Sequence, residues 1–175
     1  MGKMQLYDNK EIEWKECPGC EFANHSFNIS CGIAYENDTF ALSQDWELPI
    51  PGFMILSPKK HIVSLSEFSD EERNEMFTIV NKVINILKKS NTCDKFNVIF
   101  EEKRHFHIWI MPIYEWMLEC TDDIIDNLGK IQDYAKMNYK NKDVFDKIKK
   151  SKWFNKKQFQ YKLKCYLDYI TIINY

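Results

Sequence analysis

Two of the chain's four histidines, His105 and His107, stand in one short stretch, residues 104–112, which reads RHFHIWIMP. Successive side chains of a β-strand point to opposite faces, so a strand here would place His105, His107 and Trp109 on one face and apolar residues on the other. Imidazole titrates near neutral pH and can serve as base, nucleophile or metal ligand. This stretch is therefore the first candidate for a reactive centre.

Cysteines and a further histidine offer metal ligands. Cys17 and Cys20 form the C-x-x-C sequence CPGC, whose Pro and Gly allow a tight bend that could bring both sulfurs onto one ion. The same spacing also serves thioredoxin-like redox pairs. We predict no strand before the pair and no helix after it, which disfavours the redox interpretation.

His61 follows a predicted strand, and together with Cys17, Cys20 and one of the paired histidines it would complete a Cys2His2 set. That set has the ligand chemistry and count of a closed, tetrahedral structural zinc site. His25 and Cys31 lie in a polar loop, where each is more easily explained as incidental, although either could substitute as a ligand.

The composition limits the class of protein. The 175 residues, 45% of them hydrophobic, suffice for one compact domain with an extension. The sequence contains neither an apolar run long enough to span a membrane nor the apolar segment of a secretory signal, so we expect a cytoplasmic protein. Its six cysteines are then expected to be thiols or metal ligands.

The hydrophobic pattern predicts an α+β fold, in which a helix packs across an antiparallel sheet. Ser69 and Glu72 spell a capping box, and the helix that follows has an apolar stripe at spacings of three and four, formed by Met76, Phe77, Val80, Val83, Ile84 and Leu87. Alternating or extended apolar segments predict strands at residues 33–44 (a hairpin), 53–56, 95–100 and 105–112.

A boundary is predicted after residue 116, separating a domain at 1–116 from a helical, lysine-rich extension at 117–175. A helix is expected to start at Thr121, with Ile124, Ile125, Leu128, Ile131 and Tyr134 as its apolar stripe. Residues 1–120 carry a net charge of −7 and residues 121–175 one of +5. The basic extension could dock on the acidic part of its own chain, which we prefer, or bind nucleic acid through its interleaved lysines and aromatic residues.

Taken together, these motifs make the sequence similar to the histidine-triad (HIT) superfamily. The family signature is three histidines alternating with apolar residues, often followed by proline, and HFHIWIMP places His105 first, His107 second and Trp109 third. The YEND turn at 35–38, the Pro/Gly loop and the segment FMILSPKKH at 53–61 occur in the family's order. The resemblance covers roughly residues 15–116.

The resemblance implies a nucleotide-binding hydrolase or nucleotidyltransferase. Its nucleophile would be His107, which attacks the α-phosphorus of a dinucleoside polyphosphate, nucleoside phosphoramidate or nucleotide sugar and forms a nucleotidyl-histidine intermediate. Asp45, Asn97 and Trp109 match positions that contact the nucleotide, Asp45 through the ribose hydroxyls. The resemblance further implies a homodimer, and zinc held by Cys17, Cys20, His61 and His105.

Two departures from the family pattern support an alternative function. Trp109 replaces the third histidine, and an indole N–H is a donor only, so it cannot shuttle a proton. The turn EEKR at 101–104 is short, and Lys103 and Arg104 would supply positive charge where many members have a longer glycine-bearing loop. The alternative is a non-catalytic nucleotide-binding or interaction protein.

Overall fold

The computed structural model describes residues 1–6, 10–26, 29, 32–89 and 93–138. The strands in these ranges are β1 (Gly2–Gln5), β2 (Glu11–Trp14), β3 (Ile33–Glu36), β4 (Phe40–Gln44), β5 (Met54–Pro58), β6 (Phe96–Glu101) and β7 (His107–Pro112). The helices are α1 (Pro18–Ala23), α2 (Asp70–Lys89), α3 (Glu115–Cys120) and α4 (Leu128–Asn138), with a 3-10 helix at Leu65–Glu67.

The main sheet has five strands in the order β3-β4-β5-β7-β6, and every neighbouring pair is antiparallel. Helix α2 packs across one face of this sheet. The predicted α+β arrangement is thereby confirmed. Within the described residues, no helix has the length and apolar character needed to cross a membrane.

Helix α2 begins as its capping box predicts. The Glu72 amide donates to Ser69 Oγ at 3.2 Å, and the Ser69 amide donates to Glu72 Oε2 at 2.8 Å. The stripe of the helix meets Phe106, which precedes β7, and the sheet residues Phe40, Leu42, Met54, Leu56, Ile108 and Ile110 in one apolar cluster. Ile79 joins the buried stripe, whereas Phe77 is 49% exposed and lies against Phe100, so the predicted stripe is wrong at Phe77.

The opposite face of the sheet is covered by two separate clusters. The first joins Ile33 and Ala41 to the N-terminal part of the chain, namely Leu6, Ile12, Trp14, Phe22 and Ile29. The second joins Met111 to residues of the loop after β4 and of the C-terminal helices with the turn between them, namely Leu48, Ile50, Phe53, Met117, Ile124, Ile131 and Ala135. His107 and Trp109 of β7 also lie on this face of the sheet, which is opposite α2 and is the second face.

The N-terminal segment differs from the sequence prediction. β1 and β2 form a two-stranded hairpin, and α1 begins at Pro18, so the C-x-x-C pair has both a strand before it and a short helix through it. Proline is favoured at the first helical position because its ring fixes φ and the missing N–H would have no helical partner there. Glu21 adds support, because its Oε1 accepts from the Lys15 amide at 2.6 Å.

The C-terminal helix starts later than predicted. Thr121 follows α3, and α4 begins only at Leu128. The physical reason is that Thr121 Oγ1 accepts from the Asp123 amide, and Asp123 Oδ1 accepts from the amides of Ile125 and Asp126, so these side chains hold a turn between the helices. The lysine- and aromatic-rich stretch at 147–164, on which the nucleic-acid alternative was based, lies outside the described residues.

Candidate active site and metal centre

Cys17, Cys20, His61 and His105 form a cluster that could hold a metal ion, because one ligand atom from each lies within 4.8 Å of the others. His105 Nδ1 is 3.5 Å from Cys17 Sγ and 3.6 Å from Cys20 Sγ, and His61 Nδ1 is 3.1 Å from Cys20 Sγ. Bonds of about 2.3 Å to sulfur and about 2.1 Å to nitrogen put S and N about 3.6 Å apart in a tetrahedron. The donor set and its spacing therefore fit zinc.

Three separate parts of the chain bring these ligands together. Cys17 directly precedes α1 and Cys20 lies in its first turn, His61 follows β5, and His105 lies just before β7. Gly19 faces the ring of His105 so closely that a Cβ at this position would lie 2.4 Å from His105 Cγ. The glycine is therefore required for the close approach of α1 to the histidine.

Hydrogen bonding gives His105 the orientation that a metal ligand needs. Its Nε2 donates to the Pro58 carbonyl at 2.9 Å, which leaves the unprotonated Nδ1 facing the sulfurs. Burial lowers the pKa of His105, and this favours the neutral imidazole. Burial also raises the pKa of the Cys20 thiol to about 11, with Cys17 adding to the effect, so ion binding must displace a proton there.

His25, which the sequence offered as a substitute ligand, does not join this cluster. His25 Nε2 lies 3.2 Å from Glu36 Oε2 on the surface, and His25 has a left-handed backbone with φ of 57°. Cys31 lies outside the described residues. The incidental interpretation of His25 thus agrees with its position.

His107 is the first residue of β7 and projects from the face opposite α2. Its Nδ1 donates to the His105 carbonyl at 3.1 Å, because a carbonyl oxygen can only accept. The other ring nitrogen, Nε2, lies 2.7 Å from Glu101 Oε2. These two contacts fix the orientation of the ring and leave Nε2 facing Glu101.

Glu101 is the site residue that the sequence reasoning missed. It is the last residue of β6 and is the direct cross-strand partner of His107. Its second carboxylate oxygen, Oε1, contacts Lys103 Nζ, so Lys103 is paired within the turn. From the sequence, residue 101 is expected in the turn, and only the observed register of β6 with β7 puts it opposite His107.

Trp109 follows His107 on the same face, and the centroids of their rings are 6.0 Å apart. The rings of Phe53 and Trp109 pack in a T-shaped arrangement, with their centroids 5.6 Å apart. The Trp109 Nε1 is buried and has no hydrogen-bond partner among the described residues. Because a buried donor without a partner costs free energy, this atom is suited to an acceptor that arrives with a ligand.

A second such atom, Ser43 Oγ, lies on the same face. Ser43 pairs with Ile55, which pairs in turn with Trp109 across the sheet. Asn97 belongs to this face as well, since it is the cross-strand partner of Met111, and it is partly exposed. The second face thus presents several polar side chains along β4, β6 and β7.

Asp45 lies at the end of β4 and is buried. Its Oδ1 accepts from the Glu47 amide at 2.8 Å and from the Leu48 amide at 2.5 Å. Burial raises its pKa to about 7, although these two hydrogen bonds oppose the shift. The neighbouring Gln44 clamps the same loop, because its side chain donates to the Ile50 carbonyl and accepts from the Gly52 amide.

The comparisons agree with this architecture. A protein-family model described as HIT domain matches residues 26–115, about half of the chain. No curated protein matches the sequence. Among solved structures, a HIT family protein from Bacillus anthracis superposes with a TM-score of 0.52 at 20% identity, covering 68% of this chain and 94% of that one.

Two further structures are similar. A member of the HIT family from Bacillus subtilis has a TM-score of 0.51 and 21% identity, over 58% of this chain and 75% of that one. A Zn-bound histidine triad family protein from Mycobacterium smegmatis has a TM-score of 0.50 and 18% identity, over 57% and 76%. At these identities the likeness shows a shared fold.

Proposed function

This chain belongs to the HIT domain family, and on that premise we propose that it transfers a nucleotidyl group through His107. The substrate class is a nucleotide activated at its α-phosphate: a dinucleoside polyphosphate, a nucleoside phosphoramidate or a nucleotide sugar. The observation that carries the proposal is the fixed orientation of His107, whose Nδ1 donates to the His105 carbonyl while Nε2 lies 2.7 Å from Glu101 Oε2.

The reaction would proceed in two displacements. His107 Nε2 forms a bond to the α-phosphorus as the bond to the leaving group breaks, and water or another acceptor then releases the nucleotide from the histidine. The covalent intermediate divides one difficult displacement into two easier ones. Holding the ring in place by a backbone hydrogen bond removes part of the entropic cost of attack.

Three further residues would hold the nucleotide. Trp109 Nε1 would donate to a phosphate oxygen, which would satisfy its buried and unpartnered N–H. Asn97 would add polar contacts from β6. Asp45 would accept from ribose hydroxyls through the carboxylate oxygen that the backbone amides leave free, since those amides engage Oδ1.

We further propose that Cys17, Cys20, His61 and His105 hold zinc. Four protein ligands fill a tetrahedral shell, so the ion would stabilise the fold and would leave no position for substrate. The prediction is checked by metal analysis of untagged protein. Cys17→Ser should lower the zinc content, whereas Cys120→Ser, at an exposed cysteine outside the cluster, should not. Equal zinc in all three proteins would contradict the site.

Turnover assays test the proposed reaction. Wild-type protein should release the nucleoside monophosphate from at least one substrate class, and His107→Ala should abolish release while retaining its zinc. The matched control is His25→Ala, because His25 lies on the surface outside the cluster. Full activity of His107→Ala would contradict the proposal.

A non-catalytic nucleotide-binding role is the second candidate, and Trp109 favours it because the residue cannot relay a proton. In that case the protein would bind nucleotides and release no product from any member of the substrate panel. Binding measured by calorimetry beside the turnover assay separates the two functions.

Other aspects of the proposal concern assembly and location. We propose a homodimer, for which the exposed apolar residues Phe77, Val98 and Phe100 beside the sheet edge at β6 offer a surface. Light scattering of wild-type protein and of Phe77→Glu would test it. The boundary after residue 116 and a cytoplasmic location stay predictions.

A further inference from the structure

Glu101 stands where a proton has to move in the proposed reaction, and the inference drawn from it rests on that reaction. We propose that Glu101 is a second catalytic residue, whose carboxyl group protonates the leaving group and then accepts a proton from the attacking water. Trp109 cannot take this role, since its indole N–H does not ionise near neutral pH and cannot accept a proton.

The position of Glu101 is set by the sheet. Glu101 and His107 are direct partners in the antiparallel pairing of β6 with β7, so their side chains leave the same face side by side. Glu101 Oε2 lies 2.7 Å from His107 Nε2, and Lys103 holds the other oxygen, Oε1. Two elements therefore direct one carboxylate oxygen at the reacting nitrogen.

The hydrogen bonds of His107 place Glu101 on the path of a proton. Nδ1 donates to the His105 carbonyl, so Nε2 is the ring nitrogen left to bond to phosphorus. Glu101 Oε2 lies 2.7 Å from Nε2, within hydrogen-bond distance. A proton can therefore pass directly between these two atoms.

The two steps then balance. In the first, the proton of the hydrogen bond between His107 and Glu101 passes to Glu101 Oε2, and the Nε2 lone pair forms the bond to phosphorus. The bond from phosphorus to the leaving atom breaks, and the leaving atom keeps the electron pair and takes the proton from Glu101. In the second, the Glu101 carboxylate takes a proton from water, the water oxygen bonds to phosphorus, and the electron pair of the P–N bond returns to Nε2. The proton again lies between His107 and Glu101.

Glu101→Gln tests the proposal, because glutamine keeps the size and cannot transfer the proton. Two substrates that carry the same nucleotide are compared, a phosphoramidate, whose leaving nitrogen needs a proton, and a 4-nitrophenyl ester, whose leaving group departs without one. The first displacement is followed on its own, as release of the leaving group in a single turnover with the protein in excess, because loss of the base in the second displacement would slow both substrates. In this step the variant should lose about 10²- to 10⁴-fold in rate on the phosphoramidate and stay within a few-fold of wild type on the ester.

Controls make the outcome specific. Glu102→Gln removes the neighbouring charge, and its side chain contacts Ser64 and the Leu65 amide instead of His107, so both rates should match wild type. Glu101→Asp keeps a carboxyl group and should recover part of the phosphoramidate rate. This recovery would show that the loss in Glu101→Gln comes from the missing acid and not from misfolding.

The results that overturn the proposal are a Glu101→Gln variant whose first displacement is slowed equally on both substrates, is unchanged on both, or becomes faster on the phosphoramidate. A wild-type protein that processes neither substrate would instead refute nucleotidyl transfer itself. The two failures are therefore distinguishable.

Discussion

The buried carboxyl of Asp45 predicts an unusual pH dependence of stability. Its pKa is about 7 in the folded protein, against 3.8 for the unperturbed side chain, and the cause is burial. The folded state therefore holds a proton that the unfolded state has lost between these two values. The stabilisation is complete below pH 3.8 and disappears as the pH rises through 7.

The magnitude follows from the shift. One pKa unit corresponds to about 1.4 kcal/mol, so protonation of Asp45 favours the folded state by at most about 4 kcal/mol. Between about pH 5 and about pH 8, the linkage relation gives a loss of about 3 kcal/mol. Urea unfolding at both pH values, for wild type and for Asp45→Asn, measures it.

Asparagine is the informative replacement, because its Oδ1 can still accept from the amides of Glu47 and Leu48 while the group no longer titrates. The difference in free energy of unfolding between variant and wild type should shift by about 3 kcal/mol in favour of the variant from about pH 5 to about pH 8. Effects of the cysteine and histidine cluster cancel in this difference. A constant difference across the pH range would refute the buried, protonated carboxyl.

Two further predictions concern packing. Gly19→Ala should displace the ring of His105 and weaken the binding of cobalt, which is measured by its absorption spectrum. Gly129→Ala is the control, because a Cβ at that position meets nothing within 4 Å. Equal cobalt affinity of the two variants would contradict the close contact of Gly19 with His105. Ile131→Ala should lower the free energy of unfolding by about 2–5 kcal/mol, because Ile131 is fully buried, while Met137→Ala, at a residue 69% exposed, should change it little in the same urea assay.

Local signals in the sequence were sufficient for much of the fold. The Ser69–Glu72 capping box places the start of α2 within one residue, since a cap depends only on residues three apart. The N-terminal hairpin and α1 escaped prediction because their stability comes from packing Ile12, Trp14 and Phe22 against the sheet. Short elements of four to six residues carry too little periodicity of their own.

For the candidate site as well, some features could be predicted from the sequence and others could not. Residue type and spacing single out the C-x-x-C pair and the H-x-H stretch, and the resemblance selected His105 over His107 for the cysteines. That His105 Nδ1 faces the sulfurs depends on the Pro58 carbonyl, which is 47 residues away in the chain. The partnership of Glu101 with His107 likewise depends on strand register, which the turn sequence EEKR does not reveal by itself.

The most direct test of the account is the intact mass of the protein after brief incubation with the substrate panel, followed by peptide mapping of any adduct. The account predicts a mass gain of one nucleotidyl group, located on His107, and its loss in His107→Ala. An adduct on another residue, or product release from His107→Ala at the wild-type rate, would contradict it.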